Sequence, residues 1–215
     1  RASIVLLQEV DRNTRRSGSV DQLARLRELT GYRGRFAKTI DYDGGEYGIA
    51  ILSKWRIAST AYAPLTVTAV TTGTNTAYEA RGAIIARIVS PYGIIRVVNT
   101  HLDASGSDTY RIEQAKTLVA VAKAQADSGF TLLGGDMNSE PSSRTIASIQ
   151  QSGWTDLFEQ CGSGEPNSFP ADKPVKRIDY LFGQGGLRCN RARILDTQAS
   201  DHRPVLFEVV PSRRD

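Results

Sequence analysis

From Tyr47 to Thr100 the chain alternates strand and turn with no helix-forming stretch, and nothing else in it restricts the fold as strongly. The apolar and β-branched runs Tyr47–Leu52, Ile57–Val70, Ala77–Val89 and Ile94–Thr100 are divided only by Ser53-Lys54, Thr72-Gly73 and Ser90-Pro91-Tyr92-Gly93. Links this short join neighbouring antiparallel strands, because a parallel pair needs a crossover of about a dozen residues. Ahead of this block, Ser3–Val10 is an apolar run and Tyr32–Thr39 a weaker strand, with a turn at residues 41–45.

Two segments change to helical period. Asp21–Thr30 carries Leu23, Leu26 and Leu29, with Ser19 or Asp21 as N-cap and Gly31 as stop. Asp108–Ala126 gathers Ile112, Ala115, Leu118, Val119 and Ala122 on one face. Phe130–Leu133 then reads as a buried strand, Gly134 and Gly135 as a turn, and Ser142–Gln151 as a helix opened by Pro141. A Gly/Pro/Ser-rich loop over 161–174 precedes strands at Arg177–Phe182, Arg188–Leu195 and Val205–Val210. With 215 residues and 40% hydrophobic content, the pattern predicts one layered α/β (α+β) domain, its sheets packed face to face with helices outside.

The polar residues fall in a regular place, at the ends of apolar strands. Glu9 ends the first run; Asn99, His101 and Asp103 close Ile94–Thr100; Asp136 and Asn138 follow Phe130–Leu133. Asp179 sits in a short apolar strand, and Asp201 and His202 stand just before the last one. Both histidines of the chain belong to this set. Each residue alone has an ordinary structural explanation, such as a helix cap for Asp136 or Asn138, or a core position for His101. Their joint occurrence on strand edges points to a site.

Several chemistries lack their residues. There is no Gly-x-Ser-x-Gly elbow, no phosphate-binding Gly-x-x-x-x-Gly-Lys loop, no dinucleotide fingerprint and no zinc spacing. What remains is carboxylates and amides suited to a hard cation, with histidines to meet an anion: metal-assisted hydrolysis of a phosphoester. A net charge of +4 mildly favours polyanions, and the densest basic cluster, Arg12, Arg15 and Arg16, reads as a solvated loop or a phosphate contact. Cys161 and Cys189 leave a disulfide and two unrelated thiols equally open. No run approaches the ~18 apolar residues of a membrane helix.

Six ordered segments, LQEVD (7–11), YGIAILSK (47–54), NTHLD (99–103), GGDMNSEP (134–141), RIDYLF (177–182) and SDHRPV (200–205), resemble the endonuclease/exonuclease/phosphatase superfamily with its deoxyribonuclease-I-like fold. The wording is most similar to the small bacterial metal-dependent hydrolases of that superfamily. The resemblance implies a four-layered sandwich of two mainly antiparallel sheets flanked by helices. It assigns Glu9 and Asp201 to Mg²⁺ (or Mn²⁺), Asp136 to the attacking water, Asn138 to water or phosphate, His202 to the phosphoryl oxygens with Asp179 orienting its ring, and His101 to the phosphate from the opposite side. Asn99 joins the substrate-binding set, and Asp103 and Arg81 the rim, although Arg81 equally suits a strand surface. Family members begin with a further strand, ending in a metal-binding Asn, and a helix. This sequence has no initiator Met and starts at the following strand, so a longer N-terminus is expected.

The substrate reading is a small or lipid phosphoester, acted on by a monomer. A nuclease of the same mechanism is the alternative, for which the chain offers no basic groove interleaved with aromatics. A non-catalytic binding module on the same fold is a third reading.

Overall fold

A computed structural model describes residues 2–65, 79–124 and 130–212. The turn at Thr72-Gly73 and the expected element ends at Val70, Ala77 and Ala126 lie outside these residues.

Strands β1 (Ile4–Arg12), β2 (Arg33–Tyr42) and β3 (Gly45–Ser53) form an antiparallel sheet in the order β1-β3-β2. Asp43 (φ 45°) and Gly44 (φ 80°) make the tight turn between β2 and β3, both in the left-handed region that such two-residue hairpins require. Helix α1 (Gln22–Thr30) covers the outer face through Leu23 and Leu26, against Val10, Ala50 and Leu52. Of the two expected caps it uses Asp21, which accepts from Ala24 N.

The second sheet has six strands in the order β4-β5-β6-β7-β9-β8: β4 (Arg56–Pro64), β5 (Gly82–Ser90), β6 (Gly93–His101), β7 (Phe130–Asp136), β8 (Thr155–Asp156) and β9 (Asp179–Gln184). Only β6 and β7 pair in parallel, and α2 (Asp108–Ala124) lies between them in the chain as the crossover needs. Ile49 and Ile51 of the first sheet meet Ile84, Ala86, Ile88 and Val97 of the second in a continuous inter-sheet core. The opposite face of the second sheet, with Ile85, Val98, Leu133 and Phe182, packs on Leu118 and Ala122 of α2 and on Ile146 and Ile149 of α3 (Arg144–Gln151). Helix, sheet, sheet, helix: the four expected layers are present. Among the described residues a separate hairpin, β10 (Leu187–Ile194) with β11 (Val205–Pro211), packs with α4 (Leu157–Cys161) against Leu132 and Leu181.

Two local expectations need correction. Gly134 and Gly135 do not turn the chain; they lie inside β7, squeezed between β6 and β9. A Cβ on Gly134 would stand 2.8 Å from Tyr180 O, and one on Gly135 (φ 130°) would overlap Thr100 O outright. Neither Asp136 nor Asn138 caps α3, and Pro141 does not open it, since Ser143 is the N-cap and accepts from Ile146 N. The 161–174 loop is irregular as expected; just upstream of it stand β8 and α4, too short to carry a periodic signal. Cys161 and Cys189 form a disulfide that ties α4 to β10, with Cα atoms 5.7 Å apart.

Candidate active site

The site gathers where β1, β7, β9 and the segment before β11 converge. Glu9 reaches it through a β-bulge. The β1–β3 register slips between Leu7 and Val10, and Glu9 takes φ 56°, a left-handed backbone unusual for its type. A regular strand would alternate Glu9 onto one face of the sheet; the bulge takes it out of that alternation and leaves it exposed on the wall of a cavity. Asp136, the last residue of β7, is held by the backbone that follows it: Asn138 N donates to Asp136 Oδ1 at 2.7 Å, with Asn138 itself at φ 46°. Asn138 Nδ2 donates to Leu102 O at 3.0 Å. Two strained non-glycine backbones at one site are a common mark of function.

Gln8, Glu9, Asp136, Asp179, Ser200, Asp201 and His202 line the cavity. His202 Nδ1 donates to Asp179 Oδ2 at 2.8 Å, and the Ser168 hydroxyl donates to the same oxygen at 2.5 Å. The Phe169 ring lies 4.7 Å from that of His202. His202 is thus held at one nitrogen and one face, leaving Nε2 directed at Asp136 Oδ2, 4.0 Å away. His101 Nε2 lies 3.5 Å from the same oxygen.

The charges follow from these surroundings. Burial pushes the Asp136 carboxyl up to about 7, and the neighbouring charge of Asp179 adds to this, while the Asn138 amide and His202 pull it back. For His202 burial opposes the charge, but the Asp179 hydrogen bond and the charges of Asp179, Asp136 and Asp201 outweigh it and carry the imidazole up to about 9. His101 goes the other way, down to about 3, through burial first and then the charges of Arg81 and His202. The 3.5 Å contact of His101 with Asp136 is therefore a neutral imidazole against a carboxyl group, not an ion pair.

The expected residues do not all stand at the cavity. Asn99, expected to bind substrate, is fully buried and ties the sheets together: its Nδ2 donates to Leu7 O and Ala50 O, both at 2.9 Å, and its Oδ1 accepts from Gln8 Nε2 at 2.6 Å. With every polar atom engaged inside the inter-sheet core, it has nothing left for a substrate. His101 is 5% exposed and stands behind Asp136 rather than on the cavity wall. Arg81 is no strand-surface residue; it is buried with its Nη1 3.0 Å from His101 Nδ1. Asp103 is buried too, accepting from Ser105 N in the turn ahead of α2. Gln8, Ser168 and Phe169 were missed. Gln8 could have been inferred from its place beside Glu9, but Ser168 and Phe169 sit in a loop whose sequence carries no such signal.

The chain matches the Endonuclease/Exonuclease/phosphatase family over residues 1–202. The chain belongs to that family. Its members are hydrolases of phosphoester bonds, generally dependent on a divalent metal, and this protein is a hydrolase of that class. The fold is shared with solved structures. A functionally unknown conserved protein of Enterococcus faecalis is 24% identical (TM-score 0.79; 98% of this chain, 86% of that one). A mannosyl-6-phosphatase of Bacteroides thetaiotaomicron is 21% identical (TM-score 0.78; 97% and 85%). The human Nocturnin catalytic domain, solved with a bound sulfate anion, is 19% identical (TM-score 0.72; 96% and 81%). No curated protein matches the chain in sequence.

Carboxylates are the right donors for a hard cation. Asp136, Asp179 and His202 offer ligand atoms within 4.8 Å of one another. However, Asp179 Oδ2 already accepts from both Ser168 and His202 Nδ1, which makes that pair a hydrogen-bonded unit. Glu9 and Asp201 line the same cavity from its other sides, are exposed, and form no ion pair among the described residues. Exposed carboxylates of this kind are donors suited to a hard divalent cation. No helix among the described residues is long and apolar enough to cross a membrane.

Proposed function

We propose that this protein is a Mg²⁺-dependent hydrolase of small or lipid phosphoesters, acting by in-line attack of a water activated by Asp136. The observation that carries the reading is the approach of Asp136 Oδ2 to within 4.0 Å of two imidazole nitrogens, beside a cavity also lined by Glu9 and Asp201. Glu9 and Asp201 hold the metal, with Mn²⁺ an acceptable substitute, and the bound ion supplies charge neutralisation at the phosphoryl oxygens. Asp136 aligns the water and takes its proton, a task suited to a carboxyl raised by burial towards neutral pH. Protonated His202 donates Nε2–H to a phosphoryl oxygen and stabilises the charge that develops there, its ring fixed by Asp179, Ser168 and Phe169. Asn138 sets Asp136 Oδ1 through its backbone N–H, while its own amide is tied to Leu102 O behind the cavity wall, so its part is to position the carboxylate.

The basic cluster supports a compact substrate over a nucleic-acid backbone. Arg12 is paired with Glu46, Arg15 with Asp43 and Arg16 with Asp11. These guanidinium groups are neutralised by the protein's own carboxylates, so they form no open track for phosphates. A small or lipid phosphoester substrate also agrees with the mannosyl-6-phosphatase neighbour, though not with it alone, since Nocturnin shares the fold.

The deciding experiment assays a sugar phosphate, an aryl phosphodiester, a sphingomyelin-type lipid and plasmid DNA with and without Mg²⁺. Metal-dependent turnover of a non-nucleic-acid ester, lost in Glu9→Ala and His202→Ala, is the expected result. Preference for DNA would replace the substrate assignment with a nuclease. Turnover indifferent to both substitutions would refute the site, and a folded protein inert on the whole panel would favour a binding module.

A further inference from the structure

Arg81 directly precedes β5, is 6% exposed, and places its Nη1 3.0 Å from His101 Nδ1 and 2.8 Å from Glu79 Oε1. A guanidinium carries donors only and keeps its proton under any ordinary condition. At this contact His101 Nδ1 must therefore be the acceptor. A neutral imidazole has one N–H, so its proton resides on Nε2, the nitrogen facing Asp136 Oδ2 at 3.5 Å. The other Asp136 oxygen is already taken by Asn138 N. A second proton on His101 would have to sit on Nδ1, against the arginine, with no acceptor to receive it.

We propose that Arg81 is a positioning residue, which locks His101 as a neutral imidazole with its Nε2–H turned to Asp136 Oδ2, a 3.5 Å polar contact that orients the carboxylate toward the reacting water. The two histidines beside Asp136 then have unequal tasks. His202 meets the substrate as a cation, whereas His101 never acts as acid or base and serves only to hold the carboxylate. The inference rests on the reading of Asp136 as the group that activates water, but its first test does not depend on that reading.

That test is the nitrogen–proton correlation spectrum of the histidine side chains in the full chain, with His101→Asn and His202→Asn to assign the signals. His101 is expected to carry its proton on Nε2 with Nδ1 bare. A proton on Nδ1 overturns the proposal whatever the enzyme hydrolyses, and this needs no substitution at a buried arginine. The second test is kinetic, on whichever phosphoester is turned over. Arg81→Met is expected to lower kcat by about tenfold or more while KM moves by less than about twofold. Arg81→Lys keeps a donor that cannot accept, and is expected to restore the tautomer and part of kcat. An Arg81→Met enzyme with unchanged kcat overturns the positioning role. Loss of the phosphoester reading itself would show separately, as indifference to Glu9→Ala and His202→Ala.

Discussion

His202 and His101 both approach one carboxyl oxygen yet are displaced from their ordinary value of 6.5 in opposite directions. The consequences for stability have opposite signs. His202, raised to about 9, binds its proton more tightly in the folded chain; the stability it contributes is complete below pH 6.5 and is lost as pH rises through about 9. His101, lowered to about 3, is held neutral in the fold while the unfolded chain protonates; its contribution is complete above pH 6.5 and is lost as pH falls towards about 3. Denaturant titrations of the metal-free protein across this range are expected to show His202→Asn flattening the alkaline limb and His101→Asn the acid limb. If each substitution shifts the whole curve uniformly, neither imidazole is set by its neighbours as described. The identities of these residues were readable along the chain, but their protonation states depend on partners distant in sequence, Arg81 for one and Asp179 for the other.

At the scale of elements, the candidate-site end of the molecule depends on two close fits. Asn99 of β6 bonds to backbone carbonyls of β1 and β3 and grips Gln8, the residue before the Glu9 bulge. Asn99→Ala removes two hydrogen bonds to backbone carbonyls, one buried and one partly buried, together with the bond from Gln8, and should cost about 2–4 kcal/mol, measured by chemical denaturation. It should also loosen Glu9, so that Mg²⁺ raises Tm less than in the wild type. An unchanged denaturation midpoint would remove Asn99 from this role. Gly135 is the second fit. Its φ of 130° and the overlap that any Cβ would make with Thr100 O leave no room for a side chain. Gly135→Ala should destabilise by about 3 kcal/mol and shift Asp136, costing activity even where the protein remains folded. Strand patterning located β6 and β7 but misread both residues. A buried amide and a pair of in-strand glycines look locally like a strand-end ligand and a turn, and only the neighbouring strand reveals otherwise.

For the whole molecule, the disulfide joins the α4 and β10–β11 region into one unit. It joins residues 28 apart in sequence, for which restriction of the unfolded chain corresponds to about 3.5 kcal/mol. Cys161→Ser with Cys189→Ser is expected to lower the unfolding free energy by about that amount in non-reducing buffer, and a thiol reductant should reproduce the loss in the wild type. A reductant-insensitive midpoint would show that the bridge constrains little. The hairpin it secures leads into the segment bearing Asp201 and His202, so reduction should also weaken turnover before global unfolding.

The linear chain by itself determined the strand-rich layered architecture and the family, and it picked out as candidates the carboxylates and the one histidine, His202, that line the cavity. Those signals are local: hydrophobic period, turn residues, and short motifs at strand ends, each a property of a few consecutive residues. Tertiary structure alone decided which of the candidates face the cavity. Asn99 meets Leu7 across 92 positions and Gln8 across 91, Arg81 meets His101 across 20, and His202 meets Asp179 across 23. Whether an amide binds substrate or staples two sheets, and whether an arginine is a surface charge or sets a tautomer, is settled by which strands pack together. That information resides in the register and stacking of the sheets, not in any stretch of sequence.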